Sequence, residues 1–107
     1  CFGNEPVTLA EELSFLNRLD SVLAQRISDS PEGSYTARIW SQGLTRMAQK
    51  VGEEGVEVAL AAVTQTEDRL LSESADLLFH LMLLLKNKNL SLTTVVNELK
   101  QRHAAKP

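Results

Sequence analysis

Five acidic side chains stand at spacings that suit shared chemistry: Glu53, Glu54 and Glu57, then fifteen residues, then Glu73 and Asp76. At ~100° per residue the first three fall within one helical sector of about 100°. Glu53 and Glu57 form an i,i+4 like-charge pair and Glu54 and Glu57 an i,i+3 pair, each unfavourable by roughly a few tenths of a kcal/mol. One turn on from Glu57 stand Leu60 and Ala61 rather than a base. Lys50 reaches Glu54 only in the weaker order, with the base N-terminal. Gly52 and Gly55 each cost ~1 kcal/mol relative to Ala in a helix interior. The stretch "KVGEEGVEVA", residues 50–59, therefore works against its own helix. The second strip repeats the feature. Glu73 and Asp76 face the same way; Asp76 has no Lys or Arg at helical spacing, though His80 lies one turn on, and Glu73 has Arg69 one turn earlier.

Two antiparallel helices joined by a short connection would bring these strips face to face, so that five carboxylates line one groove. Such a cluster needs protons or a cation. An oxygen-only donor set suits a hard ion, Mg²⁺ or Mn²⁺, rather than zinc. Glycine beside the acids lets a phosphate or a neighbouring helix come close. A solvated acidic face is the ordinary outcome for isolated Glu pairs. Here it would have to account for two matching strips, missing partners and two glycines together.

The elements that must carry the strips can be read from periodicity and caps. Prolines occur only at 6, 31 and 107, so both long interior segments are free of them. Thr8 and Glu11 form a capping box ahead of Leu9, Leu13, Leu16, Leu19, Leu23 and Ile27, an amphipathic stripe. The loop "SDSPEGS", 28–34, ends that helix. Ser34 caps a short segment that stops at Gly43. One long helix is expected from Leu44 to about Val63 and another from about Glu67 to Lys86, capped by Thr66. "NKN", 87–89, is a turn, and Ser91 caps a last helix whose Leu92, Val95, Val96 and Leu99 form its inner face. No alternating strand pattern, repeat or low-complexity tract is present. The fold class is all-α: four main helices and one short one. Residues 1–8 read as a linker or interdomain remnant and 9–107 as the domain.

The segment "LLFHLMLLL", 77–85, is apolar nearly all round and has to be covered on more than one side. A chain of 107 residues has little material for this. A second subunit is the economical cover, so a homodimer of C2 symmetry is expected. The same segment is too short to span a bilayer, which takes ~20 residues.

Bulk properties bound the function. With 43% hydrophobic and 23% charged residues the chain is globular rather than disordered. A net charge of −3, no basic run and few aromatics exclude a nucleic-acid surface. A mildly acidic protein can still bind a polyanion if a divalent cation stands between them. Cys1 is the single cysteine, so neither an internal disulfide nor a cysteine zinc site is possible, which fits a reducing cytoplasm. No signal-peptide pattern opens the chain, and without an initiator Met it reads as a piece of a longer or processed protein.

The pattern Glu53-Glu54-x-x-Glu57 followed by Glu73-x-x-Asp76 resembles the "EExxE … ExxD" signature of the all-α nucleoside triphosphate pyrophosphatases, which include MazG-type enzymes, dimeric dUTPases and phosphoribosyl-ATP pyrophosphohydrolases. The string "SYTARIWSQGLTRMAQKVGEEGVEVALAA", 34–62, is most similar to the last of these, as are "ESADLLFHLMLLL", 73–85, and "LTTVVNELKQRH", 92–103. The resemblance runs from about residue 13 to 103. The opening "CFG" resembles the junction in bifunctional proteins whose N-terminal half is a phosphoribosyl-AMP cyclohydrolase, so fusion to such a domain is expected. The metal-binding Cys motifs of that second activity are absent here.

The resemblance implies Mg²⁺-dependent hydrolysis of 1-(5-phosphoribosyl)-ATP to 1-(5-phosphoribosyl)-AMP and pyrophosphate in histidine biosynthesis. Metal ligation then falls to Glu54, Glu57, Glu73 and Asp76, with Glu53 a further ligand or the base that orients water. Lys50 and Arg46, one turn apart, are candidates for holding phosphates. Tyr35 and Thr36 are candidates for nucleotide contact, with packing the plain alternative for Tyr35, and Arg38 is a weaker one. His80 is either a partner of Asp76 or an ordinary core histidine. Trp40 reads as packing and His103 as structural or solvated. Two other functions stay open: a house-cleaning pyrophosphatase of free nucleotides, and a non-catalytic helical interaction module.

Overall fold

Helix formation follows the caps closely. The structure, a computed structural model, describes residues 8–29 and 32–105. The expected linker therefore lies, but for Thr8, outside the described residues. The helices are α1 (Leu9–Asp29), α2 (Tyr35–Ser41), α3 (Leu44–Thr64), α4 (Glu67–Asn87) and α5 (Leu92–Ala105). Among the described residues there is no strand. The all-α class and the five-element order agree with the sequence reading. Among the described residues no helix is long and apolar enough to cross a membrane.

By its internal contacts the chain divides into two units, Cys1–Arg38 and Ile39–Pro107. In the first unit the Thr8–Glu11 capping box forms in full. Glu11 N–H donates to Thr8 Oγ1 at 3.1 Å, and Thr8 N–H donates back to Glu11 Oε1 at 2.9 Å. The Thr8 backbone N–H, then its hydroxyl, hold the Glu11 carboxyl below its usual value. The cap's contribution is therefore present at neutral pH and fades as pH falls through that lowered value. Leu23 is buried, whereas Leu16, Leu19 and Ile27 are half-buried and Leu13 is exposed. Ser34 Oγ accepts from Ala37 N–H at 3.2 Å and opens α2 as expected.

The second unit is organised by α3 and α4, which pack against each other and are joined by Gln65 and Thr66 alone. Gly43, at φ +95°, is the N-cap of α3. A side chain there would be strained, which is why glycine stands at this corner. Thr66 Oγ1 accepts from Arg69 N–H at 3.3 Å and starts α4. At the other end Asn89, φ +60°, closes α4: its N–H donates to Lys86 O at 3.0 Å and Leu90 N–H to Leu85 O at 2.8 Å, a Schellman pairing. Ser91 and Thr94 then cap α5 reciprocally.

One face of α3 is buried at seven-residue intervals, through Met47, Glu54 and Ala61; on α4 the buried residues are Glu73, His80, Met82 and Leu83. Each fully buried Leu or Met contributes about 1.5–3 kcal/mol. The opposite side of α3 presents Val56, Leu60 and Val63, at 60%, 52% and 80% exposure. Leu71 and Leu78 are likewise exposed on α4. The expected inner face of α5 is not inner within the chain: Val95, Val96 and Leu99 are exposed and Leu92 only half-buried. The pattern showed an apolar stripe correctly, but a stripe does not say which chain covers it.

Among the described residues no other helix comes close to Gly52 or Gly55. A Cβ at either would meet nothing within 4 Å among the described residues. Both positions are helical. Gly52→Ala and Gly55→Ala should therefore each stabilise the fold by roughly 1 kcal/mol, read as a higher urea midpoint at unchanged slope. A lower midpoint would mean that something does approach these glycines.

Candidate functional site

The antiparallel α3–α4 pair brings the two acidic strips together, because a two-residue connection leaves no other way for packed helices to run. Glu54 enters the interface as part of the buried Met47–Glu54–Ala61 row, and Glu73 enters from the first half of α4. Each is only 5% exposed. Glu57, one turn beyond Glu54, is exposed but turns inward far enough to join them: one carboxylate oxygen from each of Glu54, Glu57 and Glu73 lies within 4.8 Å of the others. Carboxylates drawn out of water at such range need protons or nearby positive charge.

The chain supplies some of it. Arg69 Nη2 donates to Glu73 Oε2 at 2.5 Å, and Arg69 Nε donates to Gln65 Oε1 at 3.2 Å. Lys50 Nζ stands 3.8 Å from Glu54 Oε1 and 3.8 Å from Glu53 Oε1. His80 is buried in the interface, its Nδ1 2.8 Å from the Asp76 carbonyl oxygen and 3.5 Å from Glu54 Oε1. A carbonyl only accepts, so Nδ1 carries the proton in that bond. The Phe79 and His80 rings meet edge to face, with centroids 5.3 Å apart.

Of the expected carboxylates, three converge and two stand apart. Glu53 is exposed at the rim, accepting from Gln49 Nε2 at 3.1 Å. Asp76 is exposed and lies outside the group of three. The groove thus gathers three acids rather than five in this arrangement. Arg46 is half-buried on the first turn of α3. In the first unit, Thr36 is buried and Tyr35 exposed, with the Arg38 guanidinium 5.3 Å from the Tyr35 ring centroid. His80 is a buried, hydrogen-bonded core histidine, the second of the two readings its place in the sequence allowed. It pairs with the backbone of Asp76, not its carboxylate, and reaches across to Glu54. Its seven-residue spacing from Glu73, two helical turns on the same face, was the available signal.

The donor set fits a hard divalent cation. An octahedral ion with bonds of about 2.1 Å sets its ligand oxygens roughly 3–4 Å apart, and the three carboxylates come near that separation without any nitrogen or sulfur among the converging atoms. Residues Glu54, Glu57 and Glu73 are those that could hold it, with Asp76 on the next turn of the same helix as Glu73.

Residues 16–103 match the family described as Phosphoribosyl-ATP pyrophosphohydrolase. The chain is 48% identical over 103 residues to the Histidine biosynthesis bifunctional protein HisIE of Escherichia coli (strain K12), covering 96% of this chain and 49% of that protein. The protein of the same name from Photobacterium profundum is 49% identical over 105 residues, with 96% and 51% covered. That of Xylella fastidiosa (strain 9a5c) is 54% identical over 89 residues, with 83% and 43% covered. The chain spans about half the length of the curated relatives it matches. Two facing acidic helices and a match over most of the length lead to one assignment: the chain belongs to the phosphoribosyl-ATP pyrophosphohydrolase family of all-α hydrolases.

Proposed function

We propose that the chain hydrolyses 1-(5-phosphoribosyl)-ATP to 1-(5-phosphoribosyl)-AMP and pyrophosphate in a Mg²⁺-dependent step of histidine biosynthesis, in the cytoplasm. The observation that carries this reading is the convergence of Glu54, Glu57 and Glu73 within 4.8 Å between two packed helices. Family membership supports the substrate, and the name shared by the relatives supports the pathway. Water is added and the anhydride between the α and β phosphates is broken, so the atoms of triphosphate and water are divided between a monophosphate and pyrophosphate.

In this proposal Glu54, Glu57 and Glu73 hold the ion and Asp76 joins them. Bound there, Mg²⁺ (or Mn²⁺) supplies the positive charge that an acidic groove lacks for a polyanion. Glu53, at the rim, is a further ligand or the base that orients water. Lys50 and Arg46 hold phosphates, and Tyr35 and Thr36 contact the nucleotide. His80 keeps Glu54 in place by filling the interface beside it.

Two tests separate this from its rivals. Purified protein with Mg²⁺ should release pyrophosphate, not single phosphate, from phosphoribosyl-ATP; faster turnover of dUTP or dCTP would make it a house-cleaning enzyme instead. Glu57→Gln and Asp76→Asn should stay folded and lose at least ~100-fold in turnover, the scale of losing a main electrostatic contribution. Full activity in both would favour a non-catalytic interaction module.

Assembly belongs to the same proposal. A second copy covers the apolar faces left open on α3, α4 and α5, and a cyclohydrolase domain adjoins the chain in the full-length protein. Exposure of Val56, Leu60 and Val63 on the side of α3 away from α4 supports a partner subunit. Sedimentation equilibrium should give a dimer, and Leu60→Glu should weaken it while leaving helical content intact; a monomer at all concentrations would refute the pairing.

A further inference from the structure

We propose that Arg69 is an exchangeable counterion of the carboxylate group: it competes with the divalent cation for Glu73 and, once displaced, is passed to the phosphates of the substrate. The inference rests on the metal-and-triphosphate reading above and adds a residue that the acidic signature does not contain. Its basis is geometric. Glu73 is a buried member of the converging trio, and the Arg69 guanidinium holds its Oε2 at 2.5 Å. That oxygen is also one of the two with which Glu73 can bind a metal. Guanidinium and ion therefore draw on the same carboxylate. Arg69 is not walled in: its side chain is 57% exposed against 6% for Glu73. Its other side-chain contact, to Gln65 Oε1, is a neutral group in the exposed connection between α3 and α4. Little holds it once Glu73 is taken, and a guanidinium matches phosphate oxygens as well as carboxylate ones.

Lys50 sets a contrast. Its ammonium stays 3.8 Å from two carboxylates and grips neither at hydrogen-bond range. It softens the field of the trio without occupying a ligand atom. Arg69 does occupy one, so of these two cations it is Arg69 that has to move. The exchange raises the local positive charge: a dication arrives at Glu73, and the guanidinium it displaces stays within a side chain's length of the incoming polyanion. Coupling of this kind makes ion and nucleotide binding mutually favourable, since each relieves Arg69 of a competing partner.

The test crosses two affinities that a purely structural role would move together. Mn²⁺ binding to the 107-residue chain is measured by electron paramagnetic resonance without nucleotide, and ATP binding is measured separately by calorimetry with Mn²⁺ saturating. Arg69→Gln should bind Mn²⁺ about fivefold more tightly and ATP about tenfold more weakly, the scale of removing one partly screened unit charge. Arg69→Lys should fall between, keeping the charge without the fork. Mn²⁺ affinity unchanged or weakened in Arg69→Gln, with the unaltered chain binding well, overturns the exchange and leaves the metal reading standing. Failure of the unaltered chain to bind Mn²⁺ any better than Glu57→Gln overturns both.

Discussion

Two glutamates placed where a helix interface should be dry govern the rest of this molecule. Glu54 and Glu73 sit in the buried rows of α3 and α4, at positions that would hold leucine in an ordinary helical pair. A buried carboxylate is costly unless charge of the opposite sign accompanies it. The surrounding features follow from that cost. Lys50 and Arg69 flank the pair one on each helix, and His80 packs beside it as a polar ring in an otherwise apolar run. Among the described residues no buried side-chain nitrogen or oxygen is left without a hydrogen-bond partner. Of the two flanking cations only Arg69 hydrogen-bonds a buried carboxylate, while Lys50 stands 3.8 Å from Glu54.

The helices that carry these acids are apolar on two sides. Along α3 the row Met47, Glu54, Ala61 is buried, while Val56, Leu60 and Val63 lie across the helix from it. Such a helix behaves as the middle layer of a sandwich. The same holds for α4, with His80 on one side and Leu71 and Leu78 on another. Converging carboxylates and exposed apolar side chains thus occupy opposite faces of the same two elements. That economy suits a chain too short to provide separate elements for each.

Much of this was legible in the residues. Helix ends followed from side-chain and backbone caps that act within a few residues: Thr8 with Glu11, Ser34 with Ala37, Thr66 with Arg69. Local rules suffice there because the interaction is local. The convergence of Glu54, Glu57 and Glu73 was legible too, since unrelieved like charge on two neighbouring helices is costly unless a shared cation offsets it. What escaped was everything decided by azimuth and by other chains. Asp76 shares a strip with Glu73 yet points about 60° further round at ~100° per residue, enough to leave it outside the group. The apolar stripe of α5 was seen, but not that it would stay uncovered within one chain. Gly52 and Gly55 were recognised as costly, whereas the open space beside them was not deducible from spacing.

The connection between α3 and α4 has a consequence of its own. With only Gln65 and Thr66 between the helices, distance along the sequence becomes a measure of height above the turn. Glu57 stands seven residues before Thr64, the end of α3, and Glu73 six after Glu67, the start of α4, so both lie roughly 9–11 Å up their helices at ~1.5 Å per residue. The fifteen residues separating the two halves of the signature are thus a ruler folded at its midpoint. Lengthening one arm by a single residue would raise one acid and swing it round its axis, and the two would no longer meet.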